Sequence, residues 1–209
     1  MGKSVYSIVL SDEVVREIDR MAYENGTNRS AMINSVLAEY TATVTPEKLI
    51  KSAVDDLRAI ICGYDGFRAR EASSGKMVSL CSALALKYNP TLKYNEELYH
   101  TVQGDNIGEL RVTLRSQNSD LLMKMADFCE KWVQMESQFT GNGDYHAAIG
   151  RFDRKLKNPC RIPHEMLGGT AAEYIKMFDS ALKSYISGAS WADVDMCYRK
   201  YISENGICI

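Results

Sequence analysis

"LKYNEELYHTV" (92–102) and "ELRVTLR" (109–115) flank "QGDNIG" (103–108), and two strand-like runs on either side of a Gly- and Asn-containing turn predict a β-hairpin. In the second run Leu110, Val112 and Leu114 alternate with Arg111, Thr113 and Arg115, so one face of that strand is apolar and the other basic and polar. Such alternation belongs to an antiparallel strand with one face on a core and one in water. The side chains on the wet face are also of types that touch nucleic acid, which makes Arg111, Thr113 and Arg115 secondary candidates for a DNA contact.

Away from this hairpin the period is helical. On its N-terminal side, Leu49, Ile50, Ala53, Leu57, Ile60 and Ile61 predict a helix from Pro46 to about Cys62, with proline at the first position and Gly63 as the stop. A loop from Tyr64 to Gly75 leads to a predicted helix carrying Met77, Leu80, Cys81 and Leu84, which Asn89-Pro90 closes. On the other side, Leu121, Leu122, Met125, Phe128, Cys129, Trp132 and Met135 predict the longest helix, 119–139, broken by "TGNGD". A helix over about 144–157 is expected from Tyr145, Ala148, Ile149, Phe152 and Leu156. There Arg151, Arg154 and Lys155 lie one turn apart, an ordinary solvated face that could also reach phosphate. After the turn "NPCRIP", Thr170 with Glu173 has the form of a capping box, and Ser190 opens a last helix through Val194, Cys197, Tyr198 and Tyr201.

The N-terminus is different again. "KSVYSIVLSDE" (3–13) alternates Ser4, Tyr6, Ile8 and Leu10 with Lys3, Val5, Ser7 and Val9, then runs without a loop into a helix capped by Ser11 or Asp12. Val14, Val15, Ile18, Met21 and Ala22 form its stripe, Asn25-Gly26 ends it, and Thr27 or Asn28 caps a second helix through Met32, Ile33, Val36, Leu37 and Tyr40. Residues 41–45, "TATVT", are a linker. A lone strand is unstable in water, and about 43 residues cannot bury both stripes, so a second copy of the chain is the economical partner.

Strand, helix, Gly-containing turn and helix, with "GTNRSAMI" at 26–33, resembles the ribbon-helix-helix family of bacterial and phage DNA-binding proteins over residues 3–43, a fifth of the chain. The resemblance implies an intertwined dimer in which two strands pair into one antiparallel ribbon that enters the DNA major groove. It places Val5, Ser7 and Val9 toward the bases, helped by Lys3, and points the helix N-terminus at Asn28, Arg29 and Ser30 toward a phosphate. Family members commonly carry Arg, Lys, Thr, Asn or Gln on the outward face, whereas this chain has two valines there. Residues 1–45 hold four basic and six acidic side chains, so modest DNA affinity that falls steeply with salt is expected.

The remaining features point away from catalysis and metal binding. Six cysteines at 62, 81, 129, 160, 197 and 208 show no CxxC pair, and are read as reduced thiols, with Cys129 in a core and Cys208 as the exposed one. His100, His146 and His164 are scattered. Ser73 and Lys76 have the S-x-x-K spacing of penicillin-recognising enzymes, without the KTG or SDN that would accompany it. No run approaches the roughly 18 apolar residues of a membrane span, and no signal peptide is evident, so a cytoplasmic location is expected.

The expectation is therefore an α+β, mainly helical protein of two parts: a ribbon-helix-helix module at 1–44, and a helical domain at 45–209 containing one β-hairpin near 92–115. Its expected function is sequence-specific binding of double-stranded DNA by a homodimer or higher homo-oligomer, as in a transcriptional repressor. It is expected not to be an enzyme, to need no cofactor or metal and to have no membrane partner. The larger domain is assigned oligomerisation, or binding of an effector or protein partner. The alternative is a protein-interaction module, of the antitoxin or plasmid-transfer accessory type, in which the N-terminal part mainly dimerises the chain.

Overall fold

Local capping signals set the helix boundaries of the N-terminal part. The computed structural model describes residues 4–70, 75–103, 105–141 and 143–206, with the backbone alone for 100–103. The chain divides into two compact units, Met1–Thr45 and Pro46–Ile209. In the first, the Ser11 hydroxyl accepts from the Val14 amide at 3.4 Å at the start of α1 (Asp12–Glu24), and Asn28 Oδ1 accepts from the Ala31 amide at 2.9 Å at the start of α2 (Arg29–Tyr40). Between them Gly26 sits at φ 60°, a left-handed turn position that glycine adopts without strain. Ile18, Ala22 and Met32 form a small core, with Met21 and Ile33 packed against it.

The expected ribbon-helix-helix module is not what this chain forms. Residues 4–11 are extended but belong to no strand, and the first unit is a pair of helices preceded by that extended segment. The physical reason is that strand pairing needs a neighbour, and none lies within reach in the same unit. The chain's β structure lies elsewhere, in a six-stranded antiparallel sheet of order β1-β2-β3-β4-β6-β5. The strands are β1 (Phe67–Arg70), β2 (Met77–Ala83), β3 (Thr91–Gln103), β4 (Asn106–Leu114), β5 (Tyr145–Ala148) and β6 (Arg151–Lys157).

The expectation of a helical domain with a single hairpin is corrected accordingly. The hairpin does form, as β3 and β4, with Tyr94 opposite Val112 and Asn95 opposite Arg111, but it is the centre of a wider sheet. Residues 77–83 form a strand rather than a helix: Val78, Leu80 and Ser82 point inward, and Leu80 pairs with Tyr94. Residues 145–157 form a second hairpin rather than a helix, turning at Gly150 with φ 71°, and β6 alternates cleanly between buried Phe152, Arg154 and Leu156 and the outward residues between them.

Four helices complete this unit: α3 (Pro46–Cys62), α4 (Ser119–Thr140), α5 (His164–Ile186) and α6 (Trp191–Asn205). The core lies between the helices and one face of the sheet. Phe152 stacks on Phe178 of α5 at 5.1 Å between ring centres, and Trp132 of α4 meets Phe178 edge-on at 5.0 Å and Tyr198 of α6 at 5.2 Å. α5 begins six residues before Thr170, whose hydroxyl donates to the Met166 carbonyl at 2.9 Å inside the helix instead of capping it. The capping box at Ser190 forms with Asp193. No helix among the described residues is long and apolar enough to cross a membrane.

Candidate functional site

The N-terminal candidates fall into three groups. Val5, Ser7 and Val9 lie on the extended segment, with Val5 and Val9 almost fully exposed, and Lys3 lies outside the described residues. Exposure falls toward the helix on one side only, from Tyr6 at 83% through Ile8 at 57% to Leu10 at 37%, while Val5 and Val9 stay fully in solvent. Asn28 is consumed as the cap of α2, with Ser30 exposed beside it. The Arg29 guanidinium binds Asp19 in a two-pronged pair, Nε to Oδ1 at 2.7 Å and NH2 to Oδ2 at 2.6 Å. That hydrogen bond holds Arg29 above and Asp19 below their usual ranges. Arg20 is likewise occupied by Glu17 and Glu24, leaving little unpaired positive charge in the first unit.

The second unit presents a larger polar surface. All of its helices lie on one face of the sheet, and the side chains of the other face form rows across the strands. One row runs Arg68, Cys81, Lys93, Thr113, Arg151 and Ala148; the next runs Arg70, Ser79, Asn95, Arg111, Asp153 and His146. A third passes through Met77, Glu97, Glu109 and Lys155. Across these rows the acids are bridged: Glu97 by Lys76 at 2.5 Å, Glu109 by Lys155 and by Arg111 at 2.7 Å, and Asp153 by Arg111 at 2.9 Å and Arg151 at 2.7 Å. Tyr99 joins the network, receiving a hydrogen bond from Lys155 at 3.1 Å. Of the basic candidates read from the sequence, the sheet thus brings Arg111, Thr113, Arg151 and Lys155 onto one surface, while Arg115 is exposed just beyond the end of β4. It also adds Arg68 and Arg70, on a strand that sequence reading takes for a loop, Lys93, on the first strand of the expected hairpin, and Lys157, whose outward side shows only once the alternation in "RFDRKLK" is read as a strand.

Arg154 faces the opposite way. It is buried, with Nε 3.1 Å from Glu136 Oε2 and its guanidinium carbon 4.2 Å from the centre of the Tyr174 ring. Tyr174 and Tyr198 donate to the same carboxylate at 3.2 and 3.3 Å. Burial opposes the charge on Arg154, but Glu136, Tyr174 and Tyr145 together outweigh it and hold the group above its usual range. This arrangement ties α4, α5, α6 and β6 together, and Arg154 is removed from any DNA contact.

Glu96, in the same inner row as Arg154, is also buried, and its Oε1 has no hydrogen-bond partner among the described residues. Burial pushes its carboxyl up to about 8, against the pull of Arg154, from 4.5. The folded protein therefore keeps this proton where the unfolded chain releases it, so the contribution to stability is complete below about pH 4.5 and is lost as pH rises through about 8. Glu96→Gln keeps the shape without the titration. Between pH 5 and 8 wild type is expected to lose on the order of 3 kcal/mol relative to this variant in urea melts, and parallel pH profiles would rule the assignment out.

Lys183 joins Asp179 at 2.7 Å and donates to Ser82 Oγ, while Tyr94 donates to Asp179 at 2.8 Å. Ser82 is fully buried and the lysine is paired with a carboxylate, so these residues fasten β2 and β3 to α5 and do not form a nucleophile exposed to substrate. Ser73 and Cys208 lie outside the described residues, as does the side chain of His100; His146 is exposed on β5 and His164 begins α5. Burial pushes the Cys129 thiol up to about 12, the behaviour of an inert core cysteine. Among the described residues no three His, Cys, Asp or Glu side chains are grouped to hold a metal. Comparison with known proteins finds no matching family, no matching curated protein and no matching solved structure.

Proposed function

We propose that the chain is a homodimeric, sequence-specific DNA-binding protein that assembles through its first unit, and that it serves as a transcriptional repressor. The observation that carries this reading is the extended segment 4–10. It leaves Val5, Tyr6, Ile8 and Val9 in solvent, and its backbone makes no hydrogen bond among the described residues. A second copy of the chain would take these exposed apolar side chains out of water. The helices beside them also lack cover. Three residues make the core of a unit of about 45, near the lower limit for independent folding, while Leu37 and Tyr40 remain exposed. A second copy supplies the missing burial, and a dimer offers two related surfaces to a symmetric operator.

One observation favours the alternative, in which the first unit only dimerises the chain: the Arg29 charge is already satisfied by Asp19. The two readings part under selection of fragmented genomic DNA by full-length protein at about 150 mM salt, where weak non-specific phosphate contacts are suppressed. Enrichment of a short symmetric site supports DNA recognition. A folded dimer with no enriched site leaves the dimeriser reading, and a wild-type monomer at tens of micromolar by sedimentation overturns both. Ile8→Asp is expected to weaken the dimer at least about tenfold, by placing a charge in the apolar surface that the second copy covers, whereas Val9→Asp keeps the dimer and loses DNA.

A further inference from the structure

We propose that the open face of the six-stranded sheet binds the DNA phosphate backbone, supplying the positive charge that the first unit lacks; this rests on the DNA-binding reading above. Of the acids of the face, Glu97, Glu109 and Asp153 are each bridged by basic neighbours, and Asp144 at its edge accepts from Asn106 at 3.5 Å. Arg68, Arg70, Lys93 and Lys157 then remain with no ion pair among the described residues. Counting Lys76 and Asp144 at its edges, the face holds eight basic and four acidic side chains, although the whole chain carries a net charge of −2. The surplus is therefore a local concentration and not a reflection of overall composition.

Its layout suits an extended polyanion. Arg68, Lys93 and Arg151 occupy one row at every second strand, about 10 Å apart on a strand spacing of roughly 4.8 Å. The basic groups thus cross the sheet as a regular line on a surface that no helix of this unit covers. A protein partner would need an apolar or aromatic anchor seated in a pocket. Among the described residues the face offers only half-buried Met77 and Cys81, and Tyr99, whose hydroxyl is already held by Lys155 and Glu109. Such contacts to phosphate would position the protein without reading sequence.

The test compares full-length wild type with the quadruple variant Arg68→Ala, Arg70→Ala, Lys93→Ala, Lys157→Ala, and with a control carrying Arg58→Ala on α3 and Lys200→Ala on α6. Binding to a 24-base-pair duplex, to one of its strands and to the RNA of the same sequence is followed from about 50 to 200 mM salt. Loss of four phosphate contacts is expected to flatten the slope of log K against log salt by about 3 to 4 for each chain engaged, equivalent to about 100-fold in affinity over that range. The loss should fall equally on any duplex sequence, with the dimer and the control unchanged. A variant whose duplex binding matches wild type overturns this assignment while leaving the DNA-binding reading intact, and if it loses only the RNA, the face serves RNA instead. Wild type that binds none of the three probes overturns both, and an acidic protein partner becomes the occupant to seek.

Discussion

Gly168→Ala is expected to destabilise the second unit by about 3 kcal/mol, at the upper end of what overpacking costs, and to lower its melting temperature by roughly 10 °C. Gly168 of α5 lies directly against α3. A methyl group there would stand 2.2 Å from the Ala53 carbonyl oxygen and 3.0 Å from the Leu57 amide nitrogen. These are backbone atoms of a regular helix, so relief requires the helices to part, and that would open the fully buried Leu57 and Ile61. The neighbouring glycine provides the control. At Gly169 the nearest atom to an added methyl is Ile60 Cδ1 at 3.8 Å, so Gly169→Ala should be neutral or stabilise the helix by up to about 1 kcal/mol. Thermal melts of the two variants showing equal stability would contradict this account of the α3–α5 contact.

Arg154→Met is the second large effect. It leaves the Glu136 carboxylate fully buried with, among the described residues, only the Tyr174 and Tyr198 hydroxyls as partners, and breaking such a pair from one side costs about 3–5 kcal/mol. The double variant Arg154→Met, Glu136→Leu removes both charges and should recover most of that loss, because the desolvation of two ions disappears together with their attraction. Denaturant melts of wild type, both single variants and the double variant measure the coupling. A single-variant cost under about 1 kcal/mol would show that the pair is not the tie between β6 and the helices described above.

Much of the helical part could be read in advance because its signals are local. Ser11, Asn28 and Ser190 cap helices where they stand in the sequence, Pro46 opens α3, and the long apolar stripe of 119–139 ends within one residue of the observed α4. The hairpin over 92–115 was legible for the same reason, two runs and one turn in succession. Residues 77–83 and 145–157 were not, since Met77, Leu80, Cys81 and Leu84, or Ala148, Phe152 and Leu156, fit helical spacing while their neighbours also fit alternation. Two short segments with both periods in them cannot choose alone.

The candidate surface shows the consequence. Helical spacing puts Arg151, Arg154 and Lys155 on one face, whereas the strand separates them, Arg151 and Lys155 outward and Arg154 against Glu136. The extended segment 4–10 is the converse case: its alternation is clear, yet no strand forms in the chain, because pairing requires a second backbone.

By itself, then, the sequence determined the caps, the helix pair of the first unit, the central hairpin and the long helices, all through contacts between near neighbours. The tertiary structure alone decided that β2, β5 and β6 are strands, that Arg154 is internal, and that basic residues from Arg68 to Lys157 share one face. The reason is physical: a helix closes its hydrogen bonds within four residues, while a strand's partners can lie far along the chain, as Arg111 and Asp153 do across β4 and β6.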